Sequence, residues 1–305
     1  TAQSLSLVGN NAGIDWQLVG TSYDYSYDVQ RTPTIAPPLA FTSGAGQVVD
    51  LDGTGWKTLD GRAAFSLGSD DSHRISLGGH WDRYTINSQR YATSDWSTGI
   101  IGVRNLVSQG STRTAAIWAQ DDIAITDALS LTLGGRYEWW RAYNGFNFSL
   151  TPALSTVQPE RRQSGFSPKA TLVWNPADNW TARLSFGKAY RFPTVGELYQ
   201  AITTGATITV PDPTLRAERA LSSELAIERH NDSGLVRLSL FNEIVDDALI
   251  SQSAPLVPGS TTLFNYVQNV PRTRARGVEA VIDQRNIIAG VDLSASVTYA
   301  DAETR

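Results

Sequence analysis

The chain holds three histidines, His73, His80 and His230, and none sits in a His-Glu-x-x-His or other metal-ligand spacing. His80 and Asp82 share one face of an extended segment and have the types needed to orient a serine for ester hydrolysis, yet no serine is tied to them by spacing. Three carboxylate pairs, Asp70-Asp71, Asp121-Asp122 and Asp246-Asp247, offer oxygen ligands for calcium, but read better as solvated charges at turns and strand ends. No glycine loop with phosphate-binding spacing lies between a strand and a helix. With Cys 0, disulfides, thiolate metal centres and cysteine nucleophiles are excluded. Bond chemistry is therefore poorly provided for, and no cofactor is expected.

The 305 residues carry Lys+Arg 25 against Asp+Glu 30, a net charge of −5, which gives no basic surface for nucleic acid. No apolar run approaches the roughly 20 residues of a membrane-spanning helix. The opening Thr1-Ala2-Gln3-Ser4-Leu5 lacks the features of a signal peptide, and with Met 0 the chain is expected to be a processed product or a piece of something longer. Aromatic residues at 10%, nine of them Trp, together with 25 Gly, favour strands and turns over helices.

Two-residue alternation recurs along the chain. Leu129, Leu131, Leu133, Gly135, Tyr137 and Trp139 oppose Ser130, Thr132, Gly134, Arg136 and Glu138. Residues 180–191, 221–228 and 291–299 repeat the split, with Lys188 an exception on the apolar side. Short turn signals at 10–13, 68–71, 126–128, 175–179, 230–234 and, more weakly, Arg285-Asn286 alternate with long stretches at 28–55, 92–112, 147–163, 192–217 and 251–262. About twelve strands result, many longer than those of soluble sheets. Long antiparallel strands with one apolar face, short turns at one end and long loops at the other predict an all-β, transmembrane, up-and-down β-barrel, because hydrocarbon tolerates strands only in a closed sheet. Trp56, Trp81, Trp139, Trp174, Trp180, Tyr137, Tyr190 and Tyr299 are then placed at the two headgroup levels.

The segment Tyr190-Arg191-Phe192-Pro193-Thr194-Val195-Gly196-Glu197-Leu198-Tyr199 resembles the aromatic-Arg-x-Pro-Thr-x-x-Glu-Leu-Tyr signature of TonB-dependent outer-membrane receptors. In the family's order follow Leu215-Arg216-Ala217-Glu218-Arg219, with Ala217 where proline is usual, then 241–250, then Asn265 to Val270 with Arg274-Ala275-Arg276-Gly277-Val278-Glu279. Upstream, Ala119-Gln120-Asp121-Asp122 and 131–138 are similar to the family's middle barrel.

This resemblance implies a barrel of about 22 strands, of which residues 1–305 would form one part, with the plug domain and the barrel's closing aromatic outside it. It implies an active transporter of the bacterial outer membrane that binds a ferric siderophore or similar scarce ligand. Its partners would be that ligand, outer-membrane lipid and the TonB complex, reached through the plug. Ligand contacts are expected from long loops and the upper lumen wall: Arg31, Trp96, Arg104, Arg141, Tyr143 and Tyr199, where fixed positive charge beside flat aromatic area suits a bulky anion. In the signature, Pro193 is expected to end a strand and Arg191 to pair with Glu197 as a structural element. Arg136, Glu138, Arg183, Glu224, Glu228, Arg237 and Glu243 are expected to line an ion-paired lumen. Two other readings are a self-contained twelve-stranded pore or lipid-cleaving barrel enzyme, and a soluble carbohydrate-binding module using its tryptophans.

Overall fold

Alternating apolar and polar residues with turn-forming breaks produce one sheet that runs the length of the chain. The computed structural model describes residues 1–68, 71–204, 207–255, 258, 259 and 261–305, and Asp70 of the first carboxylate pair and part of the 68–71 turn lie outside them. Among the described residues seventeen strands join in the sheet. In chain order they are β1 (Ala2–Asn11), β2 (Ile14–Asp24), β3 (Val29–Pro33), β4 (Gly46–Asp50), β5 (Gly55–Leu67), β6 (His73–Thr93), β7 (Arg104–Thr126), β8 (Leu129–Ser149), β9 (Leu154–Val157), β10 (Arg161–Ala177), β11 (Trp180–Arg191), β12 (Ile202–Thr204), β13 (Thr207–Val210), β14 (Glu218–Asn231), β15 (Gly234–Pro255), β16 (Leu263–Ile288) and β17 (Val291–Thr304).

Twelve of these are long and form an antiparallel meander, β1-β2-β5-β6-β7-β8-β10-β11-β14-β15-β16-β17. The other five are short and belong to the long connections. Among the described residues no pairing joins β1 to β17, so the sheet is open. It is the arrangement of a barrel wall, with hairpin turns at one end and loop structure at the other.

Register makes the two faces explicit. Leu172 lies opposite Leu131 on β8 and Leu184 on β11, and Leu184 in turn opposite Leu225, so one apolar row crosses four strands. Leu133, Trp139, Phe166, Trp174, Leu184, Phe186 and Leu240 are exposed on this outer face, as a lipid-facing belt requires. On the inner face Arg136 pairs with Glu138 at 2.9 Å and Arg237 with Glu279 at 3.4 Å. Ser222 donates to Glu243 at 3.2 Å.

Several local expectations change. β6, β7 and β15 run on into stretches read as loop, because beyond the belt both strand faces are polar and alternation no longer marks them. The last short turn falls at Ala289-Gly290, not at Arg285-Asn286. Gly290 there adopts φ +81, a conformation glycine reaches without a Cβ clash, while Asn286 sits in an irregularity where the β16–β17 register shifts. Trp56 does not face lipid. It stacks on Tyr23 with centroids 4.3 Å apart and next to Tyr84, on the face opposite to Lys57. Tyr190 turns toward Phe192, its ring filling the space beside Gly165.

Candidate functional site

The buried centre of this molecule lies where loop 192–217 folds against the inner face of the wall. Ile86, Trp140 and Ala142 from the strands and Leu198, Tyr199 and Leu215 from the loop form one apolar cluster, with Phe192, Val195, Leu249 and Val267 against it. Trp139 and Trp140 show how alternation directs this: the first is exposed on the belt, the second is 3% exposed under the loop.

The short helix α1 (Val195–Tyr199) begins at a capping box. Thr194 Oγ1 accepts from Glu197 N at 3.2 Å, and Glu197 Oε2 accepts from Thr194 N at 2.8 Å. Arg191 Nη2 donates to Glu197 Oε1 at 2.6 Å, and buried Pro193 lies between strand end and cap. Replacing Glu197 by Ala removes the reciprocal cap and the ion pair together. We expect a loss of about 1 kcal/mol of local stability, read as faster amide exchange across 194–199.

Tyr199 ends α1 with 1% of its surface exposed, its ring seated over Gly110 and Gly145, where an added Cβ would come within 2.2 and 2.5 Å of ring carbons. Those two positions must be glycine for the ring to reach the wall. Burial raises the pKa of its hydroxyl, which has no hydrogen-bond partner among the described residues. Asn147 Nδ2 donates to the Tyr199 carbonyl at 2.8 Å, and Ala201 N donates to Ser108 Oγ at 3.1 Å. Further along, Asn269 both accepts from Arg216 N at 2.8 Å and donates to its carbonyl at 3.0 Å. Arg161 holds the Pro213 carbonyl at 2.6 Å. These wall residues were not singled out from the sequence. Asn269 carries the one available signal, as part of the Asn265 to Val270 segment that resembles the family.

Six residues were expected to meet ligand, and the structure separates them. Arg31 is exposed on β3 and donates to the Ser97 carbonyl at 3.1 Å, joining the β3–β4 hairpin to segment 94–103. Trp96 joins the same pieces, its amide donating to Gly44 O at 2.9 Å and its buried indole Nε1 without a partner among the described residues. Arg104 opens β7 on the same register row as Arg31, through Val48 and Tyr91, and lies 5.6 Å from the Phe148 ring centroid. These three form a cationic and aromatic rim at the loop end.

Arg141 and Tyr143 lie elsewhere, on the outer face, where Arg141 stacks over Tyr143 at 4.8 Å and pairs with Glu160. Alternation after Trp139 carries them there rather than to the lumen. Tyr199, being buried, presents no surface to a ligand.

Asp95 organises the rim. Its Oδ1 accepts from Ser97 Oγ at 2.8 Å, Ser97 N at 3.0 Å and Gly44 N at 3.3 Å. The Ser97 hydroxyl first, then those amides, hold the Asp95 carboxyl below its usual value. A depressed carboxyl stabilises the fold above its unfolded pKa and loses that contribution as pH falls through the folded one. Rim amides are therefore expected to lose protection, relative to their intrinsic exchange rates, below about pH 4, and Asp95→Asn is expected to remove that pH dependence.

His80 is held on both sides, Nδ1 to Asp60 at 2.7 Å and Nε2 to Asp82 at 2.9 Å, so neither ring nitrogen is free to serve a nucleophile. Among the described residues no three His, Asp or Glu side chains are grouped to hold a metal.

The TonB dependent receptor-like β-barrel family model matches residues 1–305. The chain belongs to this family. Its receptor barrel is 24% identical over 241 residues to the iron-regulated outer membrane virulence protein of Vibrio cholerae serotype O1, covering 75% of this chain and 33% of that protein. It is 30% identical over 155 residues to the hemoglobin-haptoglobin-binding protein A of Haemophilus influenzae, covering 47% of this chain and 15% of that one. The crystal structure of the ferric yersiniabactin uptake receptor of Yersinia pestis superposes with a TM-score of 0.66 at 14% identity, over 100% of this chain and 42% of that one. The receptor barrel thus spans a third or less of these curated relatives. Its place is the bacterial outer membrane.

Proposed function

We propose that this chain is one part of a larger receptor barrel that imports a ferric siderophore or similar scarce iron-bearing ligand with energy supplied by TonB through a plug domain. The observation that carries the proposal is loop 192–217, fastened to the inner wall by Leu198, Tyr199 and Leu215 beside a rim of Arg31, Trp96 and Arg104. A wall so covered suits a gated uptake route more than an open pore. The rim's guanidinium groups and indole match an anionic, partly aromatic complex, and uptake proteins for such complexes are among those this barrel resembles. No bond chemistry is assigned to it.

Growth of an iron-starved strain carrying the intact receptor, with and without functional TonB, on a panel of ferric siderophores and haem proteins tests this. TonB-dependent growth on at least one iron source supports the proposal. Equal uptake without TonB, or conductance typical of an open channel, would overturn it in favour of a passive pore. Within a positive result, Arg31→Ala with Arg104→Ala is expected to weaken binding of an anionic ligand about tenfold or more, by loss of charge-assisted contacts, leaving folding unchanged.

A further inference from the structure

Lys57, Arg83, Arg113, Arg141 and Arg162 occupy five successive strands of the meander, β5, β6, β7, β8 and β10. Each is directly opposite the next: Lys57 with Arg83, Arg83 with Arg113, Arg113 with Arg141, Arg141 with Arg162. Directly opposed residues share a face, and like charges so placed repel. This row runs across a protein whose net charge is −5, and nothing in strand geometry requires it. Where the same wall pairs charges for stability it alternates their sign, as when Arg219 and Arg272 share Asp246.

The row lies on the outer face. Two residues nearer the short turns, the same strands carry Leu59, Trp81, Ala115, Trp139 and Ser164, so the cations follow the apolar belt at its long-loop edge. Two residues of strand is about 6 to 7 Å, the step from acyl chain to headgroup. Glu160 receives both Arg141 and Arg162, which hold its carboxyl below the usual range, Arg141 first. Tyr143 lies under Arg141 and Arg83. Lys57, Arg83 and Arg113 have no carboxylate in salt-bridge contact among the described residues, the nearby Asp24 accepting instead from Ser22. Surface hollows open at both ends of the row, one at Lys57 and Arg83, the other, of ≈ 620 Å³, at Arg113, Arg141, Arg162 and Trp139.

We propose that this row binds the phosphate groups of an outer-leaflet lipid headgroup, with the lipid's acyl chains lying on the belt below. Phosphate oxygens between opposed guanidinium groups turn repulsion into charge-assisted hydrogen bonds, and long loops mark the leaflet that faces outward. The geometry favours a headgroup carrying more than one phosphate, since the two hollows are separated along the row.

The test uses the intact receptor in detergent freed of bacterial lipid. Thermal unfolding and native mass spectrometry are followed with bis-phosphorylated lipid A, the same lipid with its phosphates removed, and inorganic phosphate. Stabilisation and retained mass are expected with lipid A alone. Equal effects from the dephosphorylated lipid would overturn the proposal and leave only the apolar belt, and equal effects from inorganic phosphate would reduce it to a free-anion site. A variant joining Lys57→Gln, Arg83→Gln and Arg113→Gln is expected to bind lipid A roughly a hundredfold more weakly, while unfolding at the same or a higher temperature without lipid. Glu160→Gln, which frees two guanidinium groups, is expected to bind lipid A more tightly. Unchanged binding in both variants would refute the assignment.

Discussion

Tyr199→Ala is expected to detach loop 192–217 from the barrel wall, whereas Tyr199→Phe leaves it in place. The ring is 1% exposed and fills the recess over Gly110 and Gly145, so its removal leaves a cavity among residues that cannot collapse onto it. Truncating a buried aromatic costs about 3 to 5 kcal/mol. The hydroxyl has no partner among the described residues, and exchanging it for hydrogen abandons no bond to them. Hydrogen exchange across 192–217 in the intact receptor is the readout, with protection lost by orders of magnitude in the alanine variant and kept in the phenylalanine one. If the Phe variant loosened equally, the hydroxyl would be bonded and this account of the anchor would be wrong. Gly110→Ala reaches the same end from the wall side, because its Cβ would enter the ring.

Leu184→Arg is expected to destabilise the barrel in lipid by about 2 to 4 kcal/mol, the cost of a cation on the lipid face near mid-membrane. Ser185→Arg, one residue along, is expected to change stability by less than about 1 kcal/mol because the inner face is polar. Leu184 is 52% exposed and lies in register with Leu172 and Leu225 across two neighbouring strands. Ser185 sits opposite Thr171 and Glu224. Urea titration of the intact receptor in lipid vesicles measures both. Equal sensitivity at the two positions would contradict the assignment of faces on which the barrel wall, the rim and the lipid-binding row all depend.

Period-two alternation settles secondary structure and facing locally, so the sequence already determined the long strands, and β11 at Trp180–Arg191 matches its expected bounds. It determined the apolar belt and, among the described residues, the short turns at 10–13, 126–128, 175–179 and 230–234 in outline for the same reason. At Arg285-Asn286 a turn-forming residue was taken up by an irregularity within β16, and sequence alone does not distinguish the two. The signature at 190–199 likewise showed a local fact, that Glu197 lies three residues after Thr194, the spacing of a capping box.

What only the tertiary structure decided is long-range. Tyr199 looks in sequence like an exposed loop aromatic, and it is buried because Gly110 and Gly145, on two other strands, leave room for its ring. Arg141 and Tyr143 read as loop-end ligand contacts, and cross-strand register instead sets Arg141 in a row of cations on the outer face, with the Tyr143 ring beneath it. Register is fixed by which residues of distant strands pair, so neither the anchor nor the row can be read from any one segment, although every residue in both is visible there.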